Sequence, residues 1–278
     1  MVAATAQPRR ARRPARPLSF AWVAKKGGAG KTITSTGTAV GGTQIGQRVL
    51  YIDLDETGIG QRWLGVWDVE PERSIGHAIR HPDDVDLLDI AYEHPEIPGL
   101  HVVGNVGELQ AGQFEADVKA AEQWDALFPL IARLGDRIDV VHLDTPPGTR
   151  LTGEMALFAA DVAVIVGLFE PTSIVLAGEM YDKLEAWSEE SPDSAPSIAG
   201  LVLTAHDPRE RQPQEVLDRA RADGMTVLPF HIPRTVKITR SFSTGKPFNA
   251  AKPDDIVAER FRAIAGHLST HKHREVAA

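Results

Sequence analysis

The chain has 278 residues, with 30 Lys and Arg against 38 Asp and Glu, so its formal net charge is −8. This length suits one large or two small domains, and 42% hydrophobic residues is ordinary for a globular protein. The absence of cysteine excludes disulfides, thiolate zinc sites and thiolate-held iron–sulfur clusters. No apolar run approaches the roughly 20 residues of a membrane-spanning helix, so we predict no membrane span.

Positive charge is concentrated in two parts of the sequence. The first 20 residues contain five arginines and no acid, namely Arg9, Arg10, Arg12, Arg13 and Arg16. Residues 224–253 contain five more basic residues and no acid, namely Arg234, Lys237, Arg240, Lys246 and Lys252. Overall acidity therefore does not argue against a nucleic-acid partner, because binding depends on where the charge lies.

From residue 18 onwards, short apolar runs alternate with segments of helical spacing. The predicted strands are Phe20–Ala24, Val49–Ile52, Leu100–Val103, Val140–Leu143, Val162–Leu168, Ile198–Leu203 and Thr226–Pro229. The predicted helices cover residues 33–45, 124–134, 174–187 and 256–268. This alternation predicts an α/β fold with a mostly parallel, twisted sheet and helices on both faces.

The same patterns divide the chain. Residues 1–17 lack apolar periodicity and are expected to form a disordered, arginine-rich arm. A single domain is expected over residues 18–270, followed by a flexible tail at 271–278. No long apolar stretch follows the arginines, so an export signal is not expected and the predicted location is the cytoplasm.

A glycine-rich segment, Gly27-Gly28-Ala29-Gly30-Lys31-Thr32, lies between the first predicted strand and the first predicted helix. Its glycines let backbone N–H groups turn towards phosphate oxygens, and the helix N-terminus adds positive potential. In such a loop Lys31 would reach the β- and γ-phosphates, and the Thr32 hydroxyl would bind Mg²⁺. The generic phosphate-loop pattern begins with glycine, but Lys25 occupies that position here. The segment therefore matches the pattern at all required positions except the first.

Two predicted strands end in carboxylates. One runs into Asp53-Leu54-Asp55, and the other into Asp144-Thr145-Pro146-Pro147. Parallel sheets bind ligands at the carboxyl ends of strands beside such a loop, and Asp144 would hold Mg²⁺ opposite Thr32. Physical reasoning places a carboxylate near the γ-phosphate but does not separate the roles of Asp53 and Asp55. His142, two residues before Asp144, is predicted to be a core histidine.

The segment Lys26–Thr32 resembles the deviant phosphate-loop motif of the ParA/MinD family of ATPases. The paired aspartates, the Asp144 segment, Glu170-Pro171 and Ile232-Pro233-Arg234 continue the resemblance in the family's order, and ParA-type, Soj-like DNA partition proteins are the most similar branch. The resemblance implies a P-loop NTPase fold, ATP with Mg²⁺, and a dimer that sandwiches the nucleotide. GTP is disfavoured because neither asparagine, Asn105 or Asn249, begins a guanine-reading Asn-Lys-x-Asp motif.

The resemblance also implies roles for individual residues. Lys26 would reach the partner's phosphates, Lys31 its own, and Asp55 would orient the attacking water. The implied nucleotide contacts are Lys26, Gly27, Gly28, Ala29, Gly30, Lys31, Thr32, Ile33 and Pro233, and the implied metal residues are Thr32, Asp53 and Asp144. Glu56-Thr57 replaces the family's usual Pro-Gln, so altered water positioning or partner coupling is expected.

The sequence does not identify the cargo that such an ATPase would move. The partition branch implies nonspecific double-stranded DNA, a ParB-like activator on the cargo and association with the nucleoid. The candidate DNA contacts are Arg209, Arg211, Arg234, Lys237 and Arg240, the last three spaced to share one face of a helix. The arm is equally compatible with DNA contact or a solubilising role. The alternative is a MinD-like membrane-associated or protein-cluster-positioning ATPase, although Phe261–Leu268 is better explained as a core helix.

Overall fold

Eight strands form one sheet, in the spatial order β3-β4-β2-β5-β1-β6-β7-β8. The computed structural model describes residues 16–107, 118–119, 123–148, 150–206, 213–242 and 244–273. The strands are β1 (Leu18–Val23), β2 (Val49–Asp53), β3 (Tyr92–Glu93), β4 (Leu100–Val103), β5 (Val140–Asp144), β6 (Val162–Leu168), β7 (Ser197–His206) and β8 (Ile232–Pro233). All paired strands are parallel except β3, which pairs antiparallel with β4.

Eleven α-helices are assigned within the described residues. They are α1 (Lys31–Gln44), α2 (Ile59–Trp63), α3 (Ile75–Arg80), α4 (Leu87–Ile90), α5 (Leu127–Ala132), α6 (Leu151–Ala159), α7 (Pro171–Glu190), α8 (Pro213–Ala222), α9 (Val236–Phe242), α10 (Phe248–Ala251) and α11 (Ile256–Leu268), with a short 3-10 turn at Pro71–Arg73. Within this part of the chain, no helix combines the length and apolar character needed to cross a bilayer.

The central strand β1 separates two layers of core. Its side chains alternate, so Ala21 and Val23 join one hydrophobic cluster, whereas Phe20 and Trp22 join another. Helices α3 to α8 contribute to the first cluster, and α2 with α9 to α11 contribute to the second. Burial on both faces explains why the strands read as continuous apolar runs. The predicted parallel sheet with helices on both faces is confirmed.

Strand β1 places the phosphate-loop segment in the middle of the sheet. Leu18 is in register with Val140 of β5, and Phe20 is in register with Val162 of β6. Asp53 and Asp144 are in register where β2 and β5 end. The loop after β1 therefore opens at the same edge of the sheet as both carboxylates.

Three local predictions were wrong or incomplete. Thr226–Pro229 is not a strand: Val227 makes a single bridge to Leu201, and the edge of the sheet is completed by β8. Pro229 has no backbone N–H to donate to a neighbouring strand. The apolar Leu228 suggested a strand, but it packs in the core without belonging to one. Trp124 precedes α5 rather than lying on it. The two-residue β3 was not predicted, because its sequence contains no apolar run.

Helices α1 and α11 approach each other closely because α1 carries glycine at the contact. A Cβ on Gly37 would lie 2.5 Å from ring atoms of Phe261, and one on Gly41 would lie 2.8 Å from the Phe261 backbone. The close approach at these two positions is between two helices rather than between α1 and the sheet.

The opposite, amino edge of the sheet is organised around one buried carboxylate. Asp161 precedes β6 and accepts hydrogen bonds from the Ser19 backbone N–H and hydroxyl, each at 3.0 Å. The Arg16 guanidinium also donates to Asp161, at 3.0 Å from Nη1, and lies over the Phe128 ring. His273 Nδ1 lies 3.4 Å from the same carboxylate. Arg16 thus contacts the domain, whereas Arg9, Arg10, Arg12 and Arg13 of the predicted arm lie outside the described residues.

Candidate nucleotide-binding site

The glycine-rich loop has the backbone that its sequence requires. Gly28 and Gly30 have φ values of 79° and 84°, in the left-handed region that other residues avoid. Gly30 is the N-cap of α1, so the first N–H groups of that helix face the loop. The hydroxyl of Thr204 on β7 donates to the Ala29 carbonyl at 2.6 Å and supports the loop from the side. The result is an anion-binding cradle at a helix N-terminus.

Lys31 is buried at the floor of this cradle. Its ammonium group donates to Asp144 Oδ1 at 3.1 Å and to the carbonyl of Thr145. An extended lysine with a buried charge needs such partners, because an unpaired charge in the interior is strongly disfavoured. The structure therefore joins two predicted site residues that lie 113 positions apart in the sequence.

The two carboxylates beside Lys31 are both fully buried. Burial, and next the charge of Asp144, raise the pKa of Asp53. Asp53 is held by the Gln61 N–H at 2.8 Å and the Asp55 N–H at 3.0 Å, while the Tyr51 hydroxyl donates to Asp144 Oδ2 at 2.9 Å. Further positive charge at this point would relieve the repulsion between the two acids.

The oxygen donors here fit a cation that arrives with phosphate. Among the described residues, no group of three or more His, Cys, Asp or Glu side chains is arranged to hold a metal alone. Mg²⁺ commonly uses one or two carboxylates together with substrate phosphates and water. The carboxylates of Asp53 and Asp144, with the Thr32 hydroxyl in the first turn of α1, match that donor chemistry.

Asp55 lies in a short loop with several fixed contacts. The Thr57 N–H and hydroxyl donate to Asp55 Oδ1 at 3.0 and 2.8 Å. The Asn105 side-chain amide donates to the Asp55 carbonyl at 2.9 Å and the Asp53 carbonyl at 3.2 Å. Glu56 forms an ion pair with Arg150, which is the N-cap of α6. The loop after β2 is thereby connected both to β4 and to the segment after β5.

Lys26 is at the outer side of the loop and is exposed. Its ammonium group donates to Glu170 Oε1 at 2.8 Å, and this hydrogen bond is the main reason why the pKa of Glu170 is lowered. Lys25 forms an ion pair with Glu179. The predicted Lys26 and the Glu-Pro segment after β6 are therefore adjacent in space.

A cleft of about 180 Å³ opens beside the phosphate loop. Its lining includes Gly28, Gly30 and Ile33 on one side and Pro233, Arg234 and Ile238 on the other. Ile33 and Pro233, both predicted nucleotide contacts, thus share one cavity next to the cradle. A mostly apolar slot bounded by a few polar groups suits a flat heterocycle.

The candidate DNA residues are only partly brought together. Lys237 and Arg240 lie on α9 and are exposed, but Arg234 precedes that helix, which corrects the prediction of a shared helical face. The cause is the pairing of Ile232–Pro233 with β7: this strand, β8, ends at Pro233, so Arg234 and Thr235 form the connection to α9, which begins at Val236. Lys237 pairs with Asp255 at 3.0 Å and Lys246 with Glu96 at 2.6 Å. Arg209 and Arg211 lie outside the described residues.

Several residues at the site carry no sequence signal. Tyr51, Gln61, Asn105 and Thr204 are buried and hydrogen-bonded to the loops described above. By contrast, the interpretation of His142 is confirmed: it is buried and accepts a hydrogen bond from Trp22 Nε1 at 3.0 Å. Burial lowers the pKa of His142 to about 3.

Comparison with known proteins agrees with this geometry. A family described as an AAA domain matches residues 19–191, more than half of the chain. The chain belongs to this family. Together with the parallel sheet, this confirms the resemblance to the ParA/MinD type of P-loop ATPases.

Individual relatives are similar over nearly the whole chain. An uncharacterized protein of Mycobacterium tuberculosis H37Rv is 28% identical, over 94% of this chain and 80% of the relative. The chromosome-partitioning ATPase Soj of Thermus thermophilus is 29% identical, over 87% of this chain and 91% of its own. Septum site-determining protein MinD of Pyrococcus horikoshii, solved with Mg-ADP, has a TM-score of 0.73 at 21% identity, covering 91% and 96% of the two chains. That structural likeness establishes the fold.

Proposed function

We propose that this chain is a Mg²⁺-dependent ATPase of the ParA type, which converts ATP and water to ADP and phosphate. The observation that carries the proposal is the convergence of the Gly28–Gly30 cradle, buried Lys31 and the adjacent carboxylates Asp53 and Asp144 at one edge of the sheet. The match to an AAA-domain family and the similarity to Soj support the same activity.

Each residue has a task that follows from its position. Backbone N–H groups of the loop and the first turn of α1 bind phosphate oxygens, and Lys31 exchanges its contact with Asp144 for phosphate. Asp53, Asp144 and Thr32 would hold Mg²⁺, which neutralises charge on the phosphates when it is bound. Asp55, on the half-buried loop after β2, is the candidate to orient the attacking water.

The adenine ring is assigned to the cleft between Ile33 and Pro233. The chain has two asparagines, and both have other structural roles: Asn105 holds the Asp55 loop, and Asn249 donates to the Gly37 carbonyl at 2.8 Å. These contacts support ATP over GTP.

Dimerisation and DNA binding complete the proposal. Lys26 would leave Glu170 and reach the phosphates of a second subunit, where a cation neutralises charge that develops during phosphoryl transfer. The dimer would bind double-stranded DNA without sequence preference through Arg234, Lys237 and Arg240, in the cytoplasm and at the nucleoid. A ParB-like activator on the cargo would trigger hydrolysis and release.

The membrane-bound alternative has less support. A peripheral membrane helix needs an unoccupied apolar face, but Phe261, Ile264 and Leu268 of α11 are buried in the core. The remaining alternative is an ATPase that positions a protein cluster on DNA. It differs from the proposed partition protein only in its cargo.

The test of the ATPase assignment is Lys31→Ala. Removal of the ammonium group eliminates the phosphate contact, so we expect at least tenfold weaker binding of Mg-ATP and no measurable turnover. Binding is measured by calorimetry and turnover by phosphate release. Lys272→Ala, which removes an exposed lysine far from the loop, is the matched control and should behave as the parent. Normal turnover in the Lys31 variant would refute the assignment.

A further inference from the structure

The two residues that depart from the family pattern, Glu56 and Thr57, both make contacts that organise the Asp55 loop. Thr57 is exposed, yet both its N–H and its hydroxyl donate to the same carboxylate oxygen of Asp55. A carboxylate held by two donors on one oxygen cannot turn freely about its Cβ–Cγ bond. The second oxygen, Oδ2, is therefore kept in a fixed orientation.

The rest of the loop is restrained at its backbone. Asn105, which is 3% exposed, donates to the carbonyls of Asp53 and Asp55. Its own N–H donates to Gln61 Oε1 at 2.7 Å, and Gln61 Nε2 donates back to the Asn105 carbonyl at 3.0 Å. This reciprocal pair fixes the position of Asn105, and Asn105 in turn fixes the backbone of the Asp55 loop. With the backbone held in this way, Thr57 determines the direction of the Asp55 carboxylate.

Glu56 provides a lateral anchor. Its side chain is 11% exposed and pairs with Arg150, six residues after Asp144 in the sequence. The pair joins the loop after β2 to the segment after β5 and restrains one against the other. Arg150 is half exposed, so the restraint comes from the charge-assisted hydrogen bond rather than from burial of both partners.

We infer that Thr57 is a positioning residue for hydrolysis: its hydroxyl orients the Asp55 carboxylate towards the attacking water, and the Glu56–Arg150 pair anchors the loop. This inference rests on the proposed ATPase function. Thr57 acts only through Asp55 and is not itself a catalytic residue. Its contribution is the geometric precision that such a site needs from its supporting contacts.

The experiment compares Thr57→Val with Thr57→Ser. Valine keeps the shape but removes the hydroxyl, whereas serine keeps the hydroxyl. We expect Thr57→Val to lower the single-turnover rate of Mg-ATP hydrolysis about tenfold with an unchanged dissociation constant for Mg-ATP, and Thr57→Ser to stay within about twofold of the parent. Because Thr57 is exposed, neither change should disturb folding, which circular dichroism and thermal melting check.

Thr270→Val is the matched control, since Thr270 is an exposed threonine whose hydroxyl donates to the His267 carbonyl. It should hydrolyse ATP at the parental rate. An unchanged rate in Thr57→Val, or an equal loss in Thr57→Val and Thr57→Ser, would overturn the inference. Lack of hydrolysis in the parent protein itself would instead refute the proposed function, so the two failures are distinguishable.

A double-mutant cycle tests the anchor. Glu56→Gln and Arg150→Met should each slow single-turnover hydrolysis severalfold, and the double variant should be no slower than the worse single variant, because both remove one ion pair. Independent, multiplicative losses would overturn the anchoring role of Glu56.

Discussion

His142 is a buried residue whose protonation opposes folding. Its imidazole accepts the Trp22 indole N–H and stacks near Phe20 in the core of the sheet. Burial lowers its pKa to about 3, whereas an unfolded histidine titrates near 6.5. Between these values the unfolded chain binds more protons than the folded one. Stability is therefore fully present above pH 6.5 and is lost as the pH falls towards 3.

We expect this one residue to remove about 2 kcal/mol of unfolding free energy between pH 7 and pH 5. His142→Gln retains an acceptor for Trp22 but cannot titrate, so its stability should depend less steeply on pH over this range. Urea unfolding at the two pH values measures the difference. His81→Gln, at an exposed histidine, controls for the loss of a surface imidazole. An identical slope in the parent and in His142→Gln would contradict the expectation.

Sequence reasoning identified the residues that belong to a contiguous motif or follow an apolar strand, even where, as for Lys31 and Asp144, the partners lie 113 positions apart. The phosphate-loop glycines and Lys31 are contiguous, Asp53 and Asp144 each end an apolar strand, and Asp55 comes two residues after Asp53. Asn105 and Thr204 belong to no such motif, and only their hydrogen bonds to partners 50 and 175 residues away connect them to the site. The role of such a buried polar side chain depends on which residues lie next to it in the folded protein. A single sequence does not contain that information.

At the scale of elements, the packing of α1 against α11 depends on Gly37 and Gly41. Alanine is a better helix former than glycine by about 1 kcal/mol, yet a methyl group at Gly41 would overlap backbone atoms of Phe261. Backbone cannot move aside as a flexible side chain can. The lost packing therefore outweighs the gain in helix propensity.

We expect Gly41→Ala to lower the free energy of unfolding by about 1–3 kcal/mol. Gly266→Ala is the matched control, because Gly266 lies in α11 with open space where a Cβ would be. That change should be neutral or stabilising by up to about 1 kcal/mol. Thermal and urea unfolding of both variants provide the measurement, and a Gly41→Ala protein as stable as the parent would contradict the close contact.

Elements were predicted well where burial dictates the pattern. β4 and β6 have the predicted ends, since the apolar residues of β4 and nearly all of β6 are buried. The short edge elements were harder. β3 and β8 have two residues each, and their pairing depends on neighbouring strands rather than on their own composition.

Across the whole molecule, basic residues that are clustered in the sequence lie next to acidic residues from distant parts of the chain. The acid-free stretch at 224–253 meets acids from elsewhere, since Lys237 pairs with Asp255 and Lys246 with Glu96. These pairs are exposed, so they are weak and phosphate can compete for the lysines. The stretch remains the candidate DNA surface, although its field is weaker than the sequence alone indicates.

We expect Arg240→Ala to weaken ATP-dependent binding to duplex DNA of random sequence and to reduce the slope of log K against log salt by about 1. Fluorescence anisotropy over a series of KCl concentrations measures both quantities. Lys183→Ala removes an exposed lysine from α7 and should leave the slope unchanged. Binding and slope that equal the parental values in Arg240→Ala would exclude this residue from the interface.

The contact of Arg16 with Asp161 keeps the start of the domain apart from the nucleotide site. Asp161 lies at the amino edge of the sheet, whereas the phosphate loop and α9 lie towards the carboxyl edge, the length of β1 away, or about 20 Å. A change of nucleotide would therefore not directly touch this contact, and Arg16 is expected to stay attached to the domain with ATP, with ADP and without nucleotide.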